Sequence, residues 1–148
     1  MRAIHEQLRF IGRIVYRIGT PQPVARTDFV ILDDDPIRIV TNAGIQGKKP
    51  WASPRLGILE SFLYMQLGGA WYDGASAMQA LKNHVIASGT TDFNGNLLFT
   101  GLPSNKRIYI FGIAQTRGGW AIWDLWYEIP ANQMWSAVLD QKNAAIVY

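Results

Sequence analysis

Thr91-Asp92-Phe93-Asn94-Gly95-Asn96-Leu97-Leu98-Phe99-Thr100-Gly101-Leu102-Pro103, with Ile108-Tyr109-Ile110-Phe111 five residues on, reads as turn, strand, turn, strand. Asp92, Asn94 and Gly95 bring the side-chain acceptors and the positive-φ tolerance of a tight turn, and Leu97 and Phe99 then share one strand face. This predicts a hairpin-built β domain. It carries turn and core chemistry and no catalytic group, and it sets the expectation for both flanks.

Downstream, Thr116-Arg117-Gly118-Gly119 is a turn, and the next ten residues alternate. Ala121, Trp123, Leu125, Tyr127 and Ile129 form a wholly apolar face, the expected core side, while Trp120, Ile122, Asp124, Trp126 and Glu128 form the other. Pro130-Ala131-Asn132-Gln133 is the following turn, and Trp135, Ala137 and Leu139 are inward candidates of a last strand. Upstream, Phe10, Gly12, Ile14 and Tyr16 alternate with Ile11, Arg13, Val15 and Arg17 until Gly19-Thr20-Pro21-Gln22-Pro23 breaks the strand. Phe29 and Ile31 face one way and Val30 and Leu32 the other, closing on Asp33-Asp34-Asp35-Pro36. These two upstream strands are expected to form one hairpin or to cross between sheets.

Residues 36–85 change character. Ser53-Pro54 is a helix start, with Leu56, Leu59, Phe62, Leu63 and Leu67 at helical spacing until Gly68-Gly69. A second short helix is expected from Ser76 to about His84, with Met78, Leu81 and Val85 on one side, and a helical turn over Ile37 to Ala43. Short helices do not hold alone, so this block is expected to lay its apolar faces on the sheet. The chain is thus one domain over 1–148, with β structure at 1–35 and 86–148 and a helical insertion at 36–85.

The 148 residues, 49% hydrophobic and 17% charged, suffice for one real core and argue against disorder. Six Trp, six Tyr and six Phe are a heavy aromatic load, serving as core pieces or contact surface. A net charge of +3 is too mild and dispersed for nucleic acid. Arg2, Arg9, Arg13 and Arg17 face only Glu6 near the N-terminus, a local basic patch read first as ordinary solvated strand and tail residues and, as the alternative, as a peripheral membrane contact. The absence of cysteine excludes disulfides, thiolate metal sites and a cysteine nucleophile. Met1 to Tyr16 is too interrupted by charge for a signal peptide, and no run approaches a membrane span.

Gly12-Arg13-Ile14-Val15, the Pro23-Val24-Ala25 turn, Phe29-Val30-Ile31-Leu32, and the Thr91 to Phe99 stretch with Gly101-Leu102-Pro103 and Tyr109 together resemble the carboxypeptidase regulatory-like domain. The resemblance covers roughly residues 8–33 and 88–140. It implies a transthyretin-like (prealbumin-like, Ig-like) antiparallel β-sandwich of about seven strands, here with the helical insertion between its second and third strands. It also implies a noncatalytic module of exported or cell-surface bacterial proteins, with a periplasmic, cell-surface or extracellular setting. The chain departs from the pattern where Lys106-Arg107-Ile108-Tyr109 replaces the usual Gly-x-Tyr. The module is expected to stand without an enzyme domain, so support of a neighbouring catalytic domain is not carried over.

Chemistry is sparse. His5 and His84 are the only histidines, and no Gly-x-Ser-x-Gly elbow or phosphate loop exists. An enzyme would need Asp124, Glu128 or His84 in a cleft, and their spacing supplies none; no enzyme is expected. No cofactor is expected either, calcium being the least remote: Asp33, Asp34 and Asp35 concentrate carboxylates and Asp92 and Asn94 offer oxygens. Both groups have a bland reading as a helix N-cap cluster and a turn. The face bearing Trp120, Ile122 and Trp126 is the expected interaction surface, with three fates open: cover by the insertion, a protein partner or second copy, or a stacked carbohydrate or small apolar ligand. Phe10 and Ile11, with Ile4 and Leu8, and the apolar end Ala144 to Tyr148 are expected docking tails. The leading expectation is a structural or assembly subunit, and the alternative is a ligand-binding module.

Overall fold

The computed structural model describes residues 7–15, 21–44, 74–116, 119–131, 134–140, 144 and 146–147. Side chains are described from residue 23 onward, with gaps that include Met78, Trp120 and Trp135. In chain order the elements are β1 (Gln7–Val15), β2 (Pro21–Pro23), β3 (Asp28–Leu32), α1 (Pro36–Asn42), α2 (Gly74–Lys82), β4 (Val85–Thr90), β5 (Asn96–Thr100), β6 (Arg107–Thr116), β7 (Gly119–Glu128), β8 (Met134–Leu139) and β9 (Ile146–Val147). The fold is mainly β. The expected helix from Ser53-Pro54 to Gly68-Gly69 lies outside the described residues.

Two sheets form. In one, β1 is central: β5 pairs antiparallel with one edge of residues 7–11, β8 pairs parallel with the other, and β2 pairs with residues 13–15. In the other, the order is β4-β3-β6-β7-β9, all antiparallel. Parallel pairing of β1 with β8 departs from the all-antiparallel expectation. The long stretch of chain between the two strands allows it, since parallel neighbours cannot be joined by a tight turn. Of the nine described strands, seven are five residues or longer.

The sheets pack face to face. Phe29, Ile31, Ile110, Trp123 and Ile129 from the five-stranded sheet and its flanks meet Phe99, Ala137 and Leu139 from the four-stranded one, all buried. Trp123 is fully buried; its ring centre lies 5.9 Å from that of Phe29, and its indole N–H donates to the Asp140 carbonyl at 3.0 Å. Pairing that N–H removes the cost of burying a polar atom, so the ring's apolar area stabilises the core by about 1.5–3 kcal/mol. The apolar face read from β7 is thus the core face, with Leu125 and Tyr127 half-buried against it.

The opposite face of the five-stranded sheet meets the helices. Ile39 and Val40 of α1 and Ala77 and Leu81 of α2 pack with Leu32, Tyr109, Phe111 and Ile122, making a second apolar layer. Asp35 caps α1, its Oδ1 accepting the Ile37 N–H at 2.9 Å, and Pro36 takes the first helical position, where no N–H is needed. The helix stops at Gly44, φ +79°, whose N–H donates to the Thr41 carbonyl at 3.0 Å. The expected cover of the sheet by the insertion is therefore present in α1 and α2.

Of the two arrangements open to β1 and β3, the crossing is the one formed: they lie in different sheets, the chain passing between them after β2. Three further expectations change. The stretch 91–111 is not hairpin-built: β4 and β6 belong to the five-stranded sheet and β5 to the other, so both of its turns are corners between sheets. Local turn chemistry is correct at each, with Gly95 at φ +78° and Gly101 at +71°, but does not specify the partner strand. Pro21-Gln22-Pro23 forms an edge strand instead of merely breaking one, a position where proline's missing N–H is harmless. The tail Ile146–Val147 is no free docking arm; it adds to its own sheet beside Ala121 and Ile122.

Candidate functional site

On the outer face of β7, burial falls along alternate residues. Ile122 is fully buried beneath the helical layer, Asp124 is 8% exposed, and Trp126 is 52% exposed. The helices thus cover half of the face expected to bind and leave the other half open. Ile122 is removed from the interaction surface by this packing, which buries it with Leu32, Leu81 and Phe111. Trp120 pairs through its backbone with Gln115, and its side chain lies outside the described residues.

Trp126 is held on a long two-stranded ladder. It stands opposite Tyr109 of β6, and its next neighbours on that face, Arg107 and Glu128, stand opposite each other. The Arg107 guanidinium carbon lies 3.8 Å from the centre of the Trp126 ring, in contact with one ring face. Its Nε is 3.8 Å from Glu128 Oε1, an attraction longer than a hydrogen bond. A cation on the negative face of an indole contributes about 0.5–1 kcal/mol at an exposed site and fixes the ring's orientation. More than half of Trp126 still faces water with that contact made. A flat apolar ring, a donor fork and a carboxylate therefore stand together at one end of the sheet.

At the same end, His84 follows α2 and its Nδ1 lies 2.7 Å from Asp33 Oδ1, the ring nitrogen donating to the carboxylate. The Asp33 N–H donates to the His84 carbonyl at 3.0 Å, so the pair also joins the chain ends entering β4 and leaving β3. His84 is thus held in place by its own hydrogen bonds at the end of α2.

The candidate calcium groups are engaged locally. Asp35 caps α1, Asp34 Oδ1 accepts the Asp35 N–H at 2.8 Å, and Asp92 Oδ1 accepts the Asn94 and Asn96 N–H groups at 2.8 and 2.9 Å. Among the described residues no three His, Asp or Glu side chains group to hold a metal ion. Asp124 is buried and Glu128 is exposed.

Phe10 and Ile11 sit in the central strand β1, Phe10 between Leu97 and Ala137 and Ile11 between Asn96 and Val138 in register. Their side chains, like those of Arg9 and Arg13, are outside the description, as are Arg2, Arg17 and Tyr148 altogether. The backbone at 7–15 is built into a sheet and is no loose tail.

Two features went unread in the sequence. Arg107 falls where the chain departs from the Gly-x-Tyr pattern, and pairing β6 with β7 would have set it diagonal to Trp126. Phe93 is 73% exposed at the tip of the β4–β5 corner, with the Arg26 guanidinium 5.1 Å from its ring centre. Its place inside Asp-Phe-Asn-Gly, off any strand face, was the available signal. Arg26 is held at φ +52°, its N–H donating to the Thr91 carbonyl at 3.1 Å.

No family model matches the chain, and no curated protein matches it. It is similar to the solved structure of a candidate carbohydrate binding protein from Pseudomonas aeruginosa, with 15% identity and a TM-score of 0.52 over 95% of this chain and 91% of that one. At that identity the likeness bears on the fold. Among the described residues, no helix is long and apolar enough to cross a membrane.

Proposed function

We propose that this chain is a noncatalytic binding module that holds a carbohydrate ring against Trp126. The observation that carries the reading is the half-exposed indole on the β6–β7 ladder, with Arg107 on one ring face and Glu128 beside it. The C–H face of a pyranose is weakly positive and apolar, and packs on the negative face of an indole, while hydroxyls at the ring edge need donors and acceptors close by. A platform fixed by a sheet loses little freedom on binding, which favours affinity from few contacts. The description of the similar Pseudomonas protein supports the same class. On this proposal the sandwich is of the transthyretin-like accessory kind, acts outside the cell or in the envelope, and needs no cofactor.

A glycan array probed with the wild type and with Trp126→Ala tests it. The reading expects signal from the wild type that the variant loses; a blank array, or equal signal from both, removes it.

A second reading, self-association, is favoured by Leu98 and Val138, each about half exposed on the outer face of the four-stranded sheet on either side of β1. Light scattering of the wild type and Leu98→Asp decides it: a dimer dissociated by the aspartate supports it, and a monomer in both removes it.

A further inference from the structure

We infer that the Trp126 platform selects neutral sugars and rejects acidic ones, through the Arg107–Glu128 pair; this rests on the carbohydrate reading above. Arg107 Nε and Glu128 Oε1 are 3.8 Å apart, so neither satisfies the other by a hydrogen bond. A ligand oxygen about 2.8 Å from each closes a triangle on that separation without moving either group. The oxygen must accept from the guanidinium and donate to the carboxylate at once. A hydroxyl does both, having one O–H and two lone pairs.

A sugar carboxylate cannot. It accepts from Arg107 but has no proton to give Glu128 at neutral pH, and two acceptor oxygens would face each other at contact distance. Repulsion of this kind is how a site rejects a near relative of its ligand.

Arg107 alone would favour anions. Glu128 is therefore the specificity-determining residue: it converts an anion-attracting guanidinium into a donor–acceptor pair matched to hydroxyls.

The test is affinity electrophoresis of the wild type, Glu128→Ala and Trp126→Ala through gels containing neutral glucan, mannan or galactan, or polygalacturonate or alginate. Retardation of the wild type by at least one neutral polymer is expected, with affinity for the uronates about tenfold or more weaker, the size of one lost hydrogen bond to a charged group. Glu128→Ala is expected to narrow that ratio to about threefold or less by gaining uronate affinity and losing neutral affinity. Wild-type retardation by uronates equal to that by neutral polymers, abolished by Trp126→Ala, overturns the selectivity and leaves the platform standing. An unchanged ratio in Glu128→Ala also overturns it. Absence of retardation by every polymer overturns both the selectivity and the carbohydrate reading.

Discussion

Phe29 lies directly against the backbone of Gly112, so closely that a β-carbon at Gly112 would stand 2.2 Å from Phe29 Cδ1. The two residues pair across β3 and β6, and the missing side chain at Gly112 is the space in which the Phe29 ring lies before meeting Trp123. Gly112→Ala is expected to destabilise the fold by about 1–3 kcal/mol through overpacking, read as a lower midpoint in urea unfolding. Gly89→Ala is the control. There the new carbon meets the end of the flexible Leu97 side chain at 2.8 Å, which can turn aside, so the loss is expected to be smaller. Equal losses would contradict the placement of the ring.

Thr91 ties two corners together. Its hydroxyl donates to the Val24 carbonyl at 2.7 Å and accepts the Thr27 N–H at 2.9 Å, both across the break between β2 and β3, and the residue is buried. Thr91→Val keeps the shape and removes both bonds, leaving backbone groups with lost partners. A loss of about 1–3 kcal/mol is expected in urea unfolding, and a change below about 0.5 kcal/mol would contradict the latch.

The carboxylates read as possible calcium ligands are expected to act as caps and turn acceptors. Asp92→Ala removes the acceptor of the Asn94 and Asn96 N–H groups and should lower stability by about 1 kcal/mol, as loss of a similar cap does. Calcium and EDTA should leave the melting temperature of the wild type the same. A rise with calcium that vanishes in Asp92→Ala would restore the metal.

Burial holds the Tyr127 phenol above its ordinary value of 10.0. Below that value both folded and unfolded chains keep the proton and the group is neutral in its effect. Above it the unfolded chain loses the proton first, so the folded state binds more protons and stability falls as pH rises through the folded value. Tyr127→Phe should flatten this alkaline loss above about pH 10 in urea midpoints, and should remove a phenolate that titrates above the ordinary range from the absorbance at 295 nm. An unchanged alkaline slope would contradict it.

The legible part of the fold was the part encoded over short distances. Alternation sets the two faces of β7 and so puts Ala121, Trp123 and Ile129 in the core without knowledge of any pairing, and the Asp33 to Asp35 cluster reads as a cap ahead of the helical turn at Ile37 to Ala43. Partner choice was not legible, because a period of two says which way Phe99 and Ile110 point but not which sheet each joins. Hence β5 and β6 read as neighbours although they lie in opposite layers. The parallel pairing of β1 with β8 spans more than a hundred residues of chain and leaves no local mark. The platform was half legible: Trp126 stood out by its face, whereas Arg107 belongs to it only through the cross-strand register. Ile122 shared that face in the sequence, and only the position of the helices separates the buried end from the open one.

The central claim is tested most directly by following the six indole N–H signals of the ¹⁵N-labelled protein while neutral glucan, mannan and galactan oligosaccharides are added, with the Trp126 signal identified by its loss in Trp126→Phe. Saturable movement of the Trp126 signal by at least one of them, with buried Trp123 unmoved, is the predicted result. A sugar that binds while the Trp126 signal stays in place, or no movement with any of the three series, would contradict it.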